Sequence, residues 1–109
     1  MKRLIYILAA ILLSAAASAA TPAVRTGIDV LAESGFEALR GKRVGLITNP
    51  TGVDRQLRST VDLLHEAPDI ELVALFAPEH GVRGDVPAGA KVAPTIDART
   101  GVKVGATFA

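Results

Sequence analysis

The chain reads as an α/β protein built on a parallel sheet, and three observations carry that reading. Ile70 to Ala77 is a nearly unbroken apolar run, the pattern of a strand buried on both faces between helix layers. A second and shorter apolar run, Val44 to Ile47, precedes it. Between the two lies a segment whose apolar residues recur at helical spacing, so strand, helix and parallel strand form one βαβ unit.

The elements follow in order. Met1-Lys2-Arg3 is a short basic start, Leu4 to Leu13 an apolar core, and Ser14 to Ala20 a small, alanine-rich stretch. This is the three-part layout of a secretory signal peptide over residues 1–20, cleaved after Ala19 or Ala20. Its apolar core is shorter than the roughly 20 residues a spanning helix needs. Stable membrane insertion is therefore not expected, and the destination is secreted or periplasmic. Residues 21–109 form the mature portion. Ile28, Leu31, Phe36 and Leu39 predict a helix over Gly27–Ser34, a break at Gly35 and a further turn at Phe36–Leu39, with Gly41 as the C-cap. Lys42-Arg43 leads into a short buried strand, Val44–Ile47, which ends in the turn cluster Thr48-Asn49-Pro50-Thr51-Gly52.

Val53, Leu57, Val61 and Leu64 fall at near four-residue spacing, which predicts a helix over Asp54–Glu66 with one apolar stripe. Thr51 or Asp54 would cap it, and Pro68 forbids its continuation. After the second strand, Gly81, Gly84, Pro87, Gly89 and Pro94 break every periodicity as far as Thr100-Gly101. A loop of that length is functional or disordered. Val102-Lys103-Val104 begins a further strand pattern without completing it.

Composition removes several classes of function. The full chain has 12 Lys+Arg against 11 Asp+Glu, and without Lys2 and Arg3 the basic count is 10. A near-neutral mature chain with no basic cluster argues against nucleic acid and against an anionic membrane surface. There is no cysteine, which excludes disulfides, thiolate metal sites and a thiol nucleophile. His65 and His80 lie far apart without metal-ligand spacing, so no metal is expected. The turn at Gly52 matches neither a Walker loop nor a dinucleotide fingerprint, so no cofactor is expected either. Serine catalysis has no elbow motif to support it, Ser34 and Ser59 both falling in predicted helical segments.

The stretch richest in chemistry is Pro78-Glu79-His80-Gly81, followed by Arg83-Gly84-Asp85. It leaves the carboxyl end of the second strand, where open α/β sheets gather their functional groups. Glu79 is either a solvated loop residue or a carboxyl partly desolvated by the strand end, with its pKa raised toward that of a general acid. His80 holds the Glu79 site in shape, bonds a substrate hydroxyl or serves as a base, the hydrogen-bonding role being the first expectation. Arg83 either pairs with Asp85 across Gly84 or faces an anionic substrate group, which its planar fork suits. Asn49 and Thr51 lie at the same sheet edge if the two strands are neighbours. There they serve turn chemistry, or join the site beside backbone N–H groups near Gly52 that would favour an anion.

Four segments taken together carry a resemblance: Gly27-Ile28-Asp29-Val30-Leu31, Gly41 to Gly52, Phe76 to Gly84, and Asp97-Ala98-Arg99-Thr100-Gly101. In this order the chain resembles the exo-β-N-acetylmuramidase (NamZ-like peptidoglycan hexosaminidase) family, from about Gly27 to Gly101. The resemblance implies a Rossmann-like three-layer domain, present here only as its N-terminal βαβ portion, with the active site in a cleft to a smaller C-terminal domain. It implies release of N-acetylmuramic acid from non-reducing ends of peptidoglycan fragments, so the partners are muropeptides or amino sugars. Glu79 falls at the position of a catalytic carboxylate, and His80, Arg83 and Asn49 would line the sugar pocket.

Family members are several times longer, and residues 102–109 depart from the family pattern, so the chain reads as a fragment or truncated product. Glycosidases generally use two carboxyl groups, and the second is expected beyond Ala109, with Asp85 and Asp97 the local substitutes. The isolated chain is accordingly expected to be inactive. Two rival readings stand beside the glycosidase: a non-catalytic module that binds muramyl sugars, and an unstable remnant whose two-stranded sheet is marginal.

Overall fold

In the computed structural model, which describes residues 24–91 and 93–106, β1 (Arg43–Ile47), β2 (Glu71–Ala77), β3 (Thr95–Ile96) and β4 (Lys103–Ala106) form one mixed sheet in the order β1-β2-β4-β3. The first three strands in that order run parallel, and β3 returns antiparallel to β4. The α/β fold and the parallel pairing of the two apolar runs are as expected. The signal peptide expected over residues 1–20 lies outside the described residues. Among the described residues, no helix is long and apolar enough to cross a membrane.

Among the described residues, two α-helices accompany the sheet. The first, α1 (Gly27–Glu33), begins with a reciprocal capping box. The Asp29 N–H donates to the Thr26 hydroxyl, while the Thr26 N–H donates to the Asp29 carboxylate at 2.9 Å. It ends at Ser34, before Gly35, and a 3₁₀ turn follows at Glu37–Leu39, close to the expected break.

The second helix, α2 (Thr60–Glu66), is shorter than expected. Residues 54–58 instead fold around the buried Asp54 carboxylate, which accepts from Gln56 N–H, Arg58 N–H and Arg58 Nε at 2.7–2.9 Å. By accepting from the Arg58 N–H, the side chain takes a donor that a helix would give to the Asp54 carbonyl, so the turn competes with helix. Leu57 is consequently left-handed, with φ 62°, and exposed. Ser59 caps α2, accepting from Val61 N–H, so neither Thr51 nor Asp54 is the cap.

A bulge decides which side chains face the helices. Val44 pairs with Leu72 but Gly45 pairs with Ala74, so β2 carries one extra residue, Val73. Leu72, Leu75 and Ala77 therefore share a face with Val44, Leu46 and Val104, and there they meet Phe36, Val61 and Leu64 in one apolar cluster. The opposite face bears Ile47, Ala74, Phe76 and Gly105. Phe76 is 37% exposed there and Ile47 69%, so β1 and β2 are not buried on both faces among the described residues.

The connection from β2 to β4 holds no helix. It runs from Pro78 to Val102 as turns plus the short β3. The expected loop thus contains one strand that the sequence pattern did not reveal, and Lys103–Ala106 completes the pattern begun at Val102.

Candidate active site

Two loops meet at the carboxyl ends of β1 and β2. The Thr48 N–H donates to the Phe76 carbonyl at 3.0 Å, carrying the pairing one residue past β1. The next residues make a tight turn in which Asn49 Oδ1 accepts from the Thr51 N–H at 3.2 Å and from the Thr51 hydroxyl at 2.8 Å. Pro50 then lies against Gly84 of the second loop. A methyl group at Gly84 would come within 3.1 Å of Pro50 Cγ, and its φ of +80° suits glycine. Asn49, Pro50 and Thr51 are thereby brought beside the Glu79-bearing loop, as the parallel pairing requires.

That second loop is closed by a pair of contacts between its ends. The Val86 N–H donates to the His80 carbonyl at 3.1 Å, and His80 Nδ1 lies 3.1 Å from the Val86 carbonyl oxygen. A carbonyl only accepts, so Nδ1 carries the proton and Nε2 of the neutral ring is left as an acceptor. His80 adopts a φ of 59°, a conformation costly for a residue with a Cβ and often retained where function needs it.

Glu79 stands just before this closure and is exposed. Among the described residues no side chain or backbone group bonds to its carboxylate. The partial burial expected at the strand end is not supplied here, since Ala77 and Val82 take the buried positions on either side. Asn49 and Thr51 are also exposed, and no anion site forms near Gly52. The Gly52 N–H donates to the Asn49 carbonyl, and α2 begins eight residues later than that site would need.

Arg83 is placed otherwise than in the expected pairing with Asp85. Its guanidinium, 20% exposed, donates to both oxygens of Asp97, through Nε and Nη2 at 2.8 Å each, and Nη2 also donates to Asp62 of α2 at 2.8 Å. Asp85 takes no part. Asp97 is 3% exposed at its side chain and accepts further from the N–H and hydroxyl of Thr100. The Arg83 fork holds the Asp97 carboxyl well below the usual range for an aspartate, against the opposing effect of burial. Asp97 and then Asp62 raise the Arg83 pKa in turn, and Arg99 closes the cluster by pairing with Asp62 at 3.0 Å.

This four-residue cluster went unseen in the sequence. The one local signal was the Asp97-x-x-Thr100-Gly101 turn; nothing along the chain links Asp97 to Arg83. Beside the cluster is a cavity of about 190 Å³ lined by Gly81, Asp85, Val86 and Arg99, among others, though not by Glu79 or His80. Among the described residues no group of three or more His, Asp or Glu side chains is arranged to hold a metal ion.

Residues 44–109 match the family profile for the N-terminal domain of the exo-β-N-acetylmuramidase NamZ. A peptidoglycan β-N-acetylmuramidase NamZ of Bacillus subtilis (strain 168) is 58% identical over 87 residues, which cover 80% of this chain and 21% of that protein. The crystal structure of a DUF1343 family protein from Bacteroides fragilis superposes with a TM-score of 0.68 at 58% identity, over 78% of this chain and 20% of that one. The chain thus spans about a fifth of the length of these relatives. A profile matching well over half the chain, a close curated relative and a shared fold agree: the chain belongs to the exo-β-N-acetylmuramidase NamZ family, within its N-terminal domain.

Proposed function

We propose that the protein to which this domain belongs is an exported exo-acting glycosidase that releases N-acetylmuramic acid from non-reducing ends of peptidoglycan fragments. The observation that carries this reading is Glu79, a free carboxylate at the carboxyl end of the sheet's inner strand β2, next to a closed loop, in a chain whose relative is named for muramidase activity. A carboxylic acid at that place protonates the departing glycosidic oxygen, and a second carboxylate assists from the opposite side of the sugar. Asp97 is unsuited to either role, because Arg83 occupies both its oxygens. The second carboxyl group belongs either to Asp85 or to the length that the relatives have beyond this chain. His80 Nε2 and the Asn49 amide N–H groups supply hydrogen-bonding partners for sugar hydroxyls. Thr51 sets the orientation of Asn49.

The test uses the full-length protein with a chromogenic N-acetylmuramide. Glu79→Gln is expected to lower kcat by about 10²–10⁴, the range a general acid contributes, without moving the thermal midpoint. Near wild-type turnover in that variant would remove Glu79 from the acid role. In the isolated 109-residue chain, a second carboxylate lying outside it would leave binding without cleavage. Calorimetry with N-acetylmuramic acid should then register heat, with no sugar released from a muropeptide. Export by the leader at residues 1–20 is part of the same proposal, and mass spectrometry of the exported protein should find a chain starting at Ala20 or Thr21.

A further inference from the structure

We propose that Arg83 and Asp97 form a clasp that positions the Glu79 loop, Arg83 acting as a positioning residue and not as a substrate ligand. This rests on the muramidase reading for its catalytic consequence, while the anchoring itself is a property of the fold. Apart from Val82, buried in the apolar cluster, the loop leaving β2 has little packing to hold it. Glu79, Gly84 and Asp85 are exposed, and so are residues 87–91. Its shape also contains an unfavourable backbone at His80, which persists only where the surroundings over-determine it.

Four restraints do so: the His80–Val86 closure, the Pro50–Gly84 contact, the Arg83 guanidinium and the burial of Val82. The third is charge-assisted, bidentate and largely withdrawn from water. It also reaches furthest. Arg83 joins the loop to the turn between β3 and β4 through Asp97 and to α2 through Asp62. One side chain therefore sets the loop against a helix and a strand pair, four residues from the proposed acid. A fork whose Nε and Nη2 already face Asp97 and Asp62 presents only Nη1 to any ligand, which argues against the carboxylate-recognition role.

The test compares Arg83→Lys, which keeps the charge but loses the fork, with Asp97→Asn and with Asp54→Asn in the full-length protein. Asp54→Asn disturbs a buried carboxylate of similar burial, away from the loop, and serves as the destabilised control. Amide exchange of Val86, whose N–H closes the loop, should accelerate at least tenfold in the first two variants relative to Leu75 in β2, and not in the control. With N-acetylmuramide, both clasp variants should lose kcat by roughly 10-fold to 100-fold, the scale of a small misplacement of a catalytic group, with KM within about twofold. Unchanged Val86 exchange in both clasp variants would overturn the proposal. So would a raised KM with intact kcat in Arg83→Lys alone, which marks a substrate ligand. If the wild type shows no turnover, the muramidase reading fails, and the exchange measurement still decides the clasp.

Discussion

Three aspartates, Asp29, Asp54 and Asp97, sit in buried positions, and each is ionised because donors surround it. The Thr26 hydroxyl and N–H, with help from the Arg55 N–H, bring the Asp29 carboxyl down to about 2. Burial alone would raise Asp54, but bonds from Arg58 and Gln56 outweigh it and hold it low. Asp97 is lowered most directly by Arg83. A carboxylate whose folded pKa lies below its unfolded value stabilises the fold above about pH 4 and loses that contribution as pH falls through the folded value. The thermal midpoint should therefore drop steeply from about pH 4 to pH 2 and below. Asp97→Asn should cost about 3 kcal/mol at neutral pH, the scale of breaking a buried pair. The gap between variant and wild type should narrow in acid, and a gap that stays constant across the titration would contradict the assignment. At this scale the sequence was informative where chemistry is local. Glu79 and His80 stand out because they follow an apolar strand, whereas Arg83 finds its partners 14 and 21 residues away, a distance no spacing rule spans.

Elements were legible in proportion to how little competition their residues faced. β2 declared itself through seven apolar or small residues in near succession, and α1 through a stripe and a glycine stop. The start of α2 did not, because Val53 and Leu57 fit the helical period while Asp54 bound the backbone of its own turn. Periodicity counts apolar residues and is silent about such a turn. The consequence is that Ser59, and not Thr51 or Asp54, governs α2. Ser59→Ala should destabilise the domain by about 1 kcal/mol, the usual worth of an N-cap, read from urea unfolding, while Thr51→Ala should leave the midpoint unchanged. An equal loss in both would return the cap to the earlier residue. β3 was illegible for a different reason: two residues, Thr95 and Ile96, are too few to show alternation, and they are strand only because β4 pairs with them.

At the level of the whole molecule, the sheet is larger than the two apolar runs suggested, and less evenly covered. The helices and the apolar cluster lie against the face set by the Val73 bulge. The other face keeps Ile47, Phe76 and Ile96 in contact with solvent among the described residues. Phe76 is partly accommodated by the glycines beside it, its ring lying 3.3 Å from where a methyl at Gly105 would stand and 3.6 Å from one at Gly45. The expectation of strands buried on both sides came from hydrophobicity alone, which records what a strand can bury and not what is present to bury it. The overall class, by contrast, was readable because a βαβ unit needs only two apolar runs and a helical interval between them.

The helix-free passage from β2 to β4 makes one stretch of backbone serve as both tool and tether. Residues 87–91 are exposed and belong to no helix or strand, so a protease should cut there first. A break at that point separates Arg83 from Asp97 in sequence but leaves them facing one another in space, along with the ladder between β2 and β4. The two pieces should accordingly co-elute in gel filtration after nicking and part only in denaturant. In Asp97→Asn they should drift apart far sooner, which would make a severed chain the most sensitive gauge of how firmly that single ionic knot is tied.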